Sequence, residues 1–181
     1  IDSWCKKRNT EKNKSCNSRI GVVIAFLKYT NSRQITNLKI PFRLKSEKYS
    51  YIPHTFTEKE LTNFFFACDN IKLSNNSIMT KNQKLTIPVF FRLLYSTGMR
   101  TTEARLLKVE DVDLKNGVID IKKSKGYSQH YVVLDDLIKD YLINYNNEIS
   151  ILYPNITYFF PTKNDGFHPK SWVYINFRKC W

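Results

Sequence analysis

The sequence predicts a mainly α-helical protein with a small antiparallel β-sheet, an α+β fold. Apolar residues recur at helical spacing in several long segments. Between these segments, two short stretches alternate apolar and polar residues beside turn signals, as strands of a hairpin do. The chain has 181 residues, enough for one medium domain or a domain with a small second piece. Its 42% hydrophobic content is sufficient for a packed core.

The first predicted helix covers residues 14–31, with Asn13 or Ser15 as its expected N-cap. One amphipathic helix cannot bury its own apolar face, so partner helices are expected, and Trp4 is assigned to the end of one of them. Residues 32–50 are interpreted as a basic linker, because Pro41 prevents the helix from resuming. A mobile tail and a segment that follows DNA both remain open interpretations.

A second domain is predicted to open with a capping box, formed by Thr57 and Glu60, which begins a helix over residues 58–69. The polar stretch 74–84 predicts a loop. The apolar run 85–97 predicts a buried helix. The remaining predicted elements are a helix from Asp135 to about Asn147, a short buried segment at 158–161 and a last helix over 169–180.

The stretch 97–134 carries the candidate site. Gly98 ends one helix, since glycine adopts left-handed φ without strain, and a second helix follows at once. Arg100 is therefore expected in a tight corner near a helix N-terminus, where backbone N–H groups favour an anion and a guanidinium adds donors that fit a phosphate. Glu103 can orient or neutralise it. The alternative is a surface helical pair worth a few tenths of a kcal/mol.

Two hairpins follow. Asn116 and Gly117 predict a turn between a short strand and the strand 118–121. A second turn around Lys125 leads to the strand 131–134. Lys125 is expected at that tip, where it can reach into a groove, although a lysine in a turn is usually only solvated.

Residues 97–134 resemble the first half of a tyrosine recombinase (phage integrase) catalytic domain. The matching pattern is Thr97-Gly-Met-Arg100-x-x-Glu103, Leu106-Leu107, Glu110-Asp-Val-Asp113, and Lys125-Gly126 before Tyr131-Val-Val-Leu134. The resemblance implies that Arg100 is the first catalytic arginine, which binds the scissile phosphate, with Glu103 supporting it. It also implies that Lys125 is the general acid for the leaving 5′-oxygen, and that neither a metal nor a nucleotide cofactor is required.

The same resemblance suggests a domain organisation. Residues 1–46 would be the last part of the helical core-binding domain and its linker, and residues 51–181 the N-terminal part of the catalytic domain. The chain has no initiator Met, and no His-x-x-Arg box with a following nucleophilic tyrosine is recognisable; His168, for example, precedes Pro-Lys-Ser. We therefore expect a truncated recombinase that by itself cannot cleave DNA. Self-association on DNA is expected of the intact protein, and a monomer is compatible with this chain.

Charge indicates the partner. The formal net charge is +13, and residues 1–50 hold 12 Lys or Arg against 3 Asp or Glu. Such a concentration favours a polyanionic partner, either a nucleic acid or an anionic membrane surface. The family resemblance implies that the partner is double-stranded DNA. Lys14 and Arg19, at the leading end of the first helix, are the candidate DNA contacts. No apolar run approaches a membrane span and no signal peptide is evident. The four cysteines lack metal-type spacing and are interpreted as reduced thiols of a cytoplasmic protein.

Two other interpretations remain. The chain can be a non-catalytic DNA-binding module on a recombinase scaffold. It can also be a generic basic domain that binds RNA or an anionic surface, in which case the pattern at 97–134 is accidental.

Overall fold

The structure is a computed structural model, and it describes residues 2–47, 52–72, 77–122 and 129–181. The chain divides into two compact units, residues 1–55 and 56–181, which are described separately.

The first unit is built on one long helix. A short helix α1 (Asp2–Cys5) precedes α2 (Asn13–Ser32), so the predicted helix over 14–31 is confirmed. Cys16, Ile20 and Ile24 form its small core, against which Ile40 packs. The predicted caps were wrong. Lys12 occupies the N-cap position without a side-chain hydrogen bond, and Asn13 is the first residue of the helix.

Asparagine side chains of α2 fix the segment that follows the helix. The amide of Asn17 donates to the Leu44 carbonyl and accepts from the Leu44 N–H, both at 2.8 Å, as a strand backbone would. Asn31 exchanges a similar pair of bonds with Leu38, and Asn13 donates to the Lys45 carbonyl at 3.0 Å. Residues 38–45 therefore lie along α2.

The second unit has a helical core. Its helices are α3 (Glu58–Asp69), α4 (Ile78–Thr97), α5 (Thr101–Leu106), α6 (Asp136–Leu152) and α7 (Lys170–Cys180). The predicted helix over 58–69 and the Thr57–Glu60 capping box are both confirmed. Aromatic rings fill the centre: Phe90 meets Phe160 and Trp172 edge-on, with ring centroids 5.3 Å apart in each pair.

The loop predicted over 74–84 was wrong from Ile78 onward. Helix α4 begins there, with the Ser77 hydroxyl accepting from the Thr80 N–H. The buried Asn82 makes this polar stretch helical: its amide donates to the Pro161 carbonyl at 2.8 Å and accepts from the Thr86 hydroxyl at 2.7 Å. Its polar atoms are therefore satisfied inside the core.

A three-stranded antiparallel sheet of order β1-β2-β3 lies at one side of the helices. Its strands are β1 (Val112–Asp113), β2 (Val118–Ile121) and β3 (His130–Val133). Gly117 has φ 67°, which closes the β1–β2 turn as predicted. In the β2–β3 pair, Ile119 lies opposite Val132, and Ile121 opposite His130.

Candidate phosphate-binding cleft

The backbone around Arg100 is fixed on both sides. Gly98, with φ 64°, ends α4 in the left-handed conformation, and its N–H donates to the Leu94 carbonyl. Met99 is buried in the core. Arg100 is the N-cap residue of α5, in extended conformation. The predicted helix–turn–helix corner is therefore confirmed, and the position of Arg100 follows from two local signals, a glycine stop and an immediate restart.

Glu103 holds Arg100 at two points. One carboxylate oxygen accepts from the Arg100 backbone N–H at 2.8 Å, and the other accepts from Nη1 of its guanidinium at 2.7 Å. Burial alone would raise the pKa of Glu103, but these two hydrogen bonds and the charge of Arg100 keep that pKa below its ordinary value. The Glu103 side chain is 3% exposed, whereas that of Arg100 is 62% exposed. A buried carboxylate thus anchors the arginine, while most of the arginine side chain is exposed to solvent.

Arg100 opens onto a cleft of about 550 Å³. One wall is residues 96–100 with Glu103, and the other is strand β3. His130, at the start of β3, is half-buried and lines this cleft together with Arg100 and Glu103. Sequence reasoning missed His130, because an isolated histidine at the start of a strand carries no pattern.

Lys125 lies outside the described residues, as do its neighbours over 123–128. The described part of the chain contains the two strands that flank it. They are paired as far as Ile121 and His130. The role predicted for Lys125 stays a prediction.

Arg19 is engaged within the first unit. Its guanidinium donates to both carboxylate oxygens of Glu11, at 3.0 and 2.7 Å, and to the main-chain carbonyls of Trp4 and Lys6. The ion pair with Arg19 lowers the pKa of Glu11 to about 2. With a side chain only 14% exposed, Arg19 ties the N-terminal segment to α2. This arrangement does not present its guanidinium to a phosphate, and the predicted DNA contact remains untested.

Lys14 lies in a different setting, an exposed basic groove along α2. The groove has a volume of about 320 Å³ and lies between the helix and the segment fixed by the asparagines. Arg43 lines it together with Lys14, and a Cβ at Gly21 would lie 3.5 Å from the Arg43 guanidinium. Sequence reasoning did not select Arg43, although it stands two residues after Pro41 in the basic segment.

His168 belongs to the core and not to the cleft. Its ring stacks on Trp172 with centroids 4.0 Å apart, and its main-chain carbonyl accepts from the Arg105 guanidinium. Burial, with a smaller effect of the Arg105 charge, lowers the pKa of His168 to about 4. The imidazole is therefore neutral at physiological pH and serves packing.

No helix within the described residues combines the length and the apolar character needed to cross a membrane. Over residues 2–47, 52–72, 77–122 and 129–181, no group of three His, Cys, Asp or Glu side chains is placed to hold a metal ion. Independence from metals and cofactors stays a prediction.

Comparison with protein families gives a match over residues 54–171 to the profile described as the phage integrase family. Among curated proteins, the chain is 36% identical over 88 residues to the tyrosine recombinase XerD of Staphylococcus epidermidis, covering 49% of this chain and 30% of XerD. It is 30% identical over 128 residues to the tyrosine recombinase XerC of Lactobacillus leichmannii, covering 64% of this chain and 41% of XerC. The chain thus spans less than half the length of these relatives.

Two solved structures share the fold. The XerH site-specific recombinase bound to a palindromic difH substrate superposes with a TM-score of 0.69 at 20% identity, covering 93% of this chain and 47% of XerH. The Tn1549 transposon integrase, in complex with a circular intermediate DNA, gives a TM-score of 0.61 at 14% identity, covering 90% of this chain and 55% of the integrase. At these identities the likeness concerns the fold.

Proposed function

This chain belongs to the phage integrase family, and we propose that the protein is a site-specific DNA recombinase. In this proposal a tyrosine attacks a DNA phosphate, forming a 3′-phosphotyrosine link and releasing a 5′-hydroxyl. The observation that carries the proposal is the anchored but exposed guanidinium of Arg100 at the mouth of an open cleft.

Arg100 binds the scissile phosphate. Glu103 holds one Nη and the main-chain N–H, which leaves the other guanidinium donors available to the oxygens of a phosphodiester. Because the anchor is buried, little rotamer entropy remains to be lost when the phosphate binds. Negative charge grows on the phosphate oxygens as the nucleophile attacks, so donors held in place beforehand lower the barrier.

Lys125 donates a proton to the leaving 5′-oxygen. An ammonium group is suited to this step because it can give up its proton, whereas a guanidinium stays charged at any relevant pH. The support is the family pattern of Lys125-Gly126 before Tyr131-Val-Val-Leu134. The paired strands β2 and β3, which flank that lysine, add to it.

Residues 1–46 form the last part of a core-binding domain with its linker, and residues 51–181 the first part of the catalytic domain. In the first unit Lys14 and Arg43 contact the DNA backbone, supported by the basic groove they share. Arg19 holds the N-terminal segment against α2. The proposal that the intact protein self-associates on DNA rests on family resemblance alone.

The 181 residues by themselves bind DNA without cutting it. They contain no His-x-x-Arg motif, and catalytic groups that act as a unit lose nearly all activity when one is missing. Among the described tyrosines, Tyr145 is buried, and burial raises the pKa of its hydroxyl far above the ordinary value. Tyr174 is exposed, and its hydroxyl accepts from Arg178 at 3.1 Å on the face of α7. Neither has the setting of a nucleophile.

The test is Arg100→Ala in the intact protein, assayed for strand exchange and for binding to its site. Loss of an arginine that acts on the transition state should lower the exchange rate by about 10²- to 10³-fold and leave site binding within about threefold. Arg178→Ala is the matched control, since Arg178 is an exposed arginine on the surface of α7. Exchange that survives Arg100→Ala would refute the assignment. A protein that binds its site but never forms a covalent adduct would be a DNA-binding module instead.

A further inference from the structure

The pairing of β2 with β3 explains why His130 lines the Arg100 cleft. His130 pairs with Ile121 in the register that places Ile119 opposite Val132. Ile119 and Ile121 are buried, so these four side chains share the inner face of the sheet. His130 is the polar member of this inner set, and it stands where β3 borders the cleft beside Glu103 and Arg100.

The imidazole of His130 has no hydrogen-bond partner among the residues that the structure describes, although the cleft around it is open. The buried polar group beside it is satisfied. Glu103 accepts two hydrogen bonds from Arg100. A ring with one or two N–H donors is therefore available to a ligand in this cleft.

The backbone of β3 adds donors beside the ring. The Leu134 N–H donates to the Gly117 carbonyl at 2.8 Å, which sets the phase of the β2–β3 ladder. In an antiparallel ladder, alternate residues bond to the partner strand and those between point away. The N–H groups of Tyr131 and Val133 consequently point away from β2, and both residues line the cleft.

Charge explains why a second donor matters. Arg100 and Glu103 have opposite charges 2.7 Å apart, so the pair attracts a phosphodiester less than an isolated arginine would. A phosphodiester has two non-bridging oxygens, and one guanidinium with an Nη tied to a carboxylate does not satisfy every acceptor site on them. Donors on β3, which lines the same cleft, complete the set.

We propose that His130 is a second phosphate-binding residue of this cleft, donating a ring N–H to a non-bridging oxygen of the phosphodiester that Arg100 holds. The inference rests on the proposed function, because it takes the Arg100 cleft to be the phosphate site. Its ligand class is a phosphodiester monoanion, for which inorganic phosphate is the probe, with the N–H of Tyr131 as a neighbouring donor.

The experiment is a titration of the isotope-labelled 181-residue chain with inorganic phosphate, followed by NMR on histidine ring nitrogens, the Arg100 side chain and backbone N–H groups. Phosphate should shift the ring nitrogens of His130 and the N–H of Tyr131 with one apparent Kd. His130→Gln should weaken that affinity at least threefold. His130→Lys, which restores a donor at the position, should recover the wild-type Kd within about twofold. His54→Gln, an exposed histidine in the first unit, is the control and should change nothing.

The outcomes separate the two proposals. If Arg100→Ala abolishes phosphate binding while His130→Gln binds as the wild type does, the inference fails and the Arg100 assignment stands. If neither change affects binding, the cleft is not the phosphate site and both fail. Should His130→Gln not fold, the wild-type titration decides: phosphate that shifts Arg100 but not the His130 ring overturns the inference.

Discussion

Arg100 and Glu103 form an ion pair of 2.7 Å in which the carboxylate is buried and the guanidinium faces solvent. An exposed pair of helical neighbours would differ little in exposure and would contribute only a few tenths of a kcal/mol. The observed difference in exposure indicates that Glu103 orients the Arg100 side chain at the edge of the open cleft.

Glu103→Gln tests whether Glu103 orients Arg100. The amide can keep one of the two hydrogen bonds but presents an N–H₂ group to the other Arg100 donor, so one charge-assisted bond is lost. We expect the free energy of unfolding to fall by about 1–3 kcal/mol and strand exchange by the intact protein to slow. Chemical denaturation measures the first effect and an exchange assay the second.

The control is Glu110→Gln. Glu110 pairs with Lys108 at 3.3 Å, and its side chain is 64% exposed, so the change should stay within about 0.5 kcal/mol. Equal effects of the two substitutions would show that burial gives Glu103 no special role.

Arg19 and Lys14 should behave differently although both were predicted DNA contacts. Arg19→Ala removes the links to Glu11 and to the Trp4 carbonyl, so it should lower the melting temperature of the first unit by several degrees. Lys14→Ala should lower the slope of log K against log salt for DNA binding by about 1, since Lys14 lines the exposed basic groove.

Thermal melts followed by circular dichroism, with DNA titrations at several salt concentrations, make this comparison. A lower salt slope for Arg19→Ala with unchanged melting would mean that the guanidinium leaves Glu11 to contact DNA. The structural role assigned to it would then be wrong.

His168 gives the protein a defined acid sensitivity. Its folded-state pKa is about 4, against about 6.5 in the unfolded chain. The unfolded chain therefore takes up this proton first as the pH falls, and stability that is present above about pH 6.5 is lost progressively down to about pH 4. The full loss is about 3 kcal/mol.

His168→Phe keeps an aromatic ring against Trp172 and removes the titration. Between pH 6.5 and 5, above the range where most carboxylates titrate, its free energy of unfolding should depend on pH less than that of the wild type. His54→Asn is the control, since that histidine is exposed. Identical pH profiles for His168→Phe and the wild type would contradict the buried neutral imidazole.

The Asn82 side chain should contribute more to the free energy of unfolding than an exposed polar side chain does. Asn82→Ala removes the donor to the buried Pro161 carbonyl and one of two partners of the Thr86 hydroxyl, which keeps the Tyr145 hydroxyl at 3.2 Å. We expect a loss of about 2–3 kcal/mol in the free energy of unfolding. Lys81→Ala, on the exposed side of the same helix turn, should stay within about 0.5 kcal/mol. If Asn82→Ala cost no more than Lys81→Ala, the account of why α4 begins at Ile78 would fail.

Local signals explain what the sequence could predict. The Thr57–Glu60 capping box and the glycine stop at Gly98 act within a few residues, so the start of α3 and the corner holding Arg100 follow from the chain itself. The same holds for the turn at Gly117, where only the left-handed conformation was required.

Long-range partners explain what it could not predict. The polar start of α4 is stabilised by the hydrogen bond from the Asn82 amide to the Pro161 carbonyl, which is 79 residues away in sequence. Arg19 donates to a carboxylate and to main-chain carbonyls, and the sequence spacing of these groups does not predict the contacts. His130 reaches the Arg100 cleft only because the sheet register carries β3 there.

The action of Arg100 on the charge of the phosphate is tested with a duplex whose scissile phosphate is replaced by a neutral methylphosphonate. In the intact protein, Arg100→Ala should be severely impaired on ordinary DNA but should cleave this duplex at a rate within about tenfold of the wild type, since the reacting group has one negative charge fewer for the guanidinium to neutralise. An impairment as large on methylphosphonate as on phosphate would show that Arg100 does not act on the charge of the phosphate.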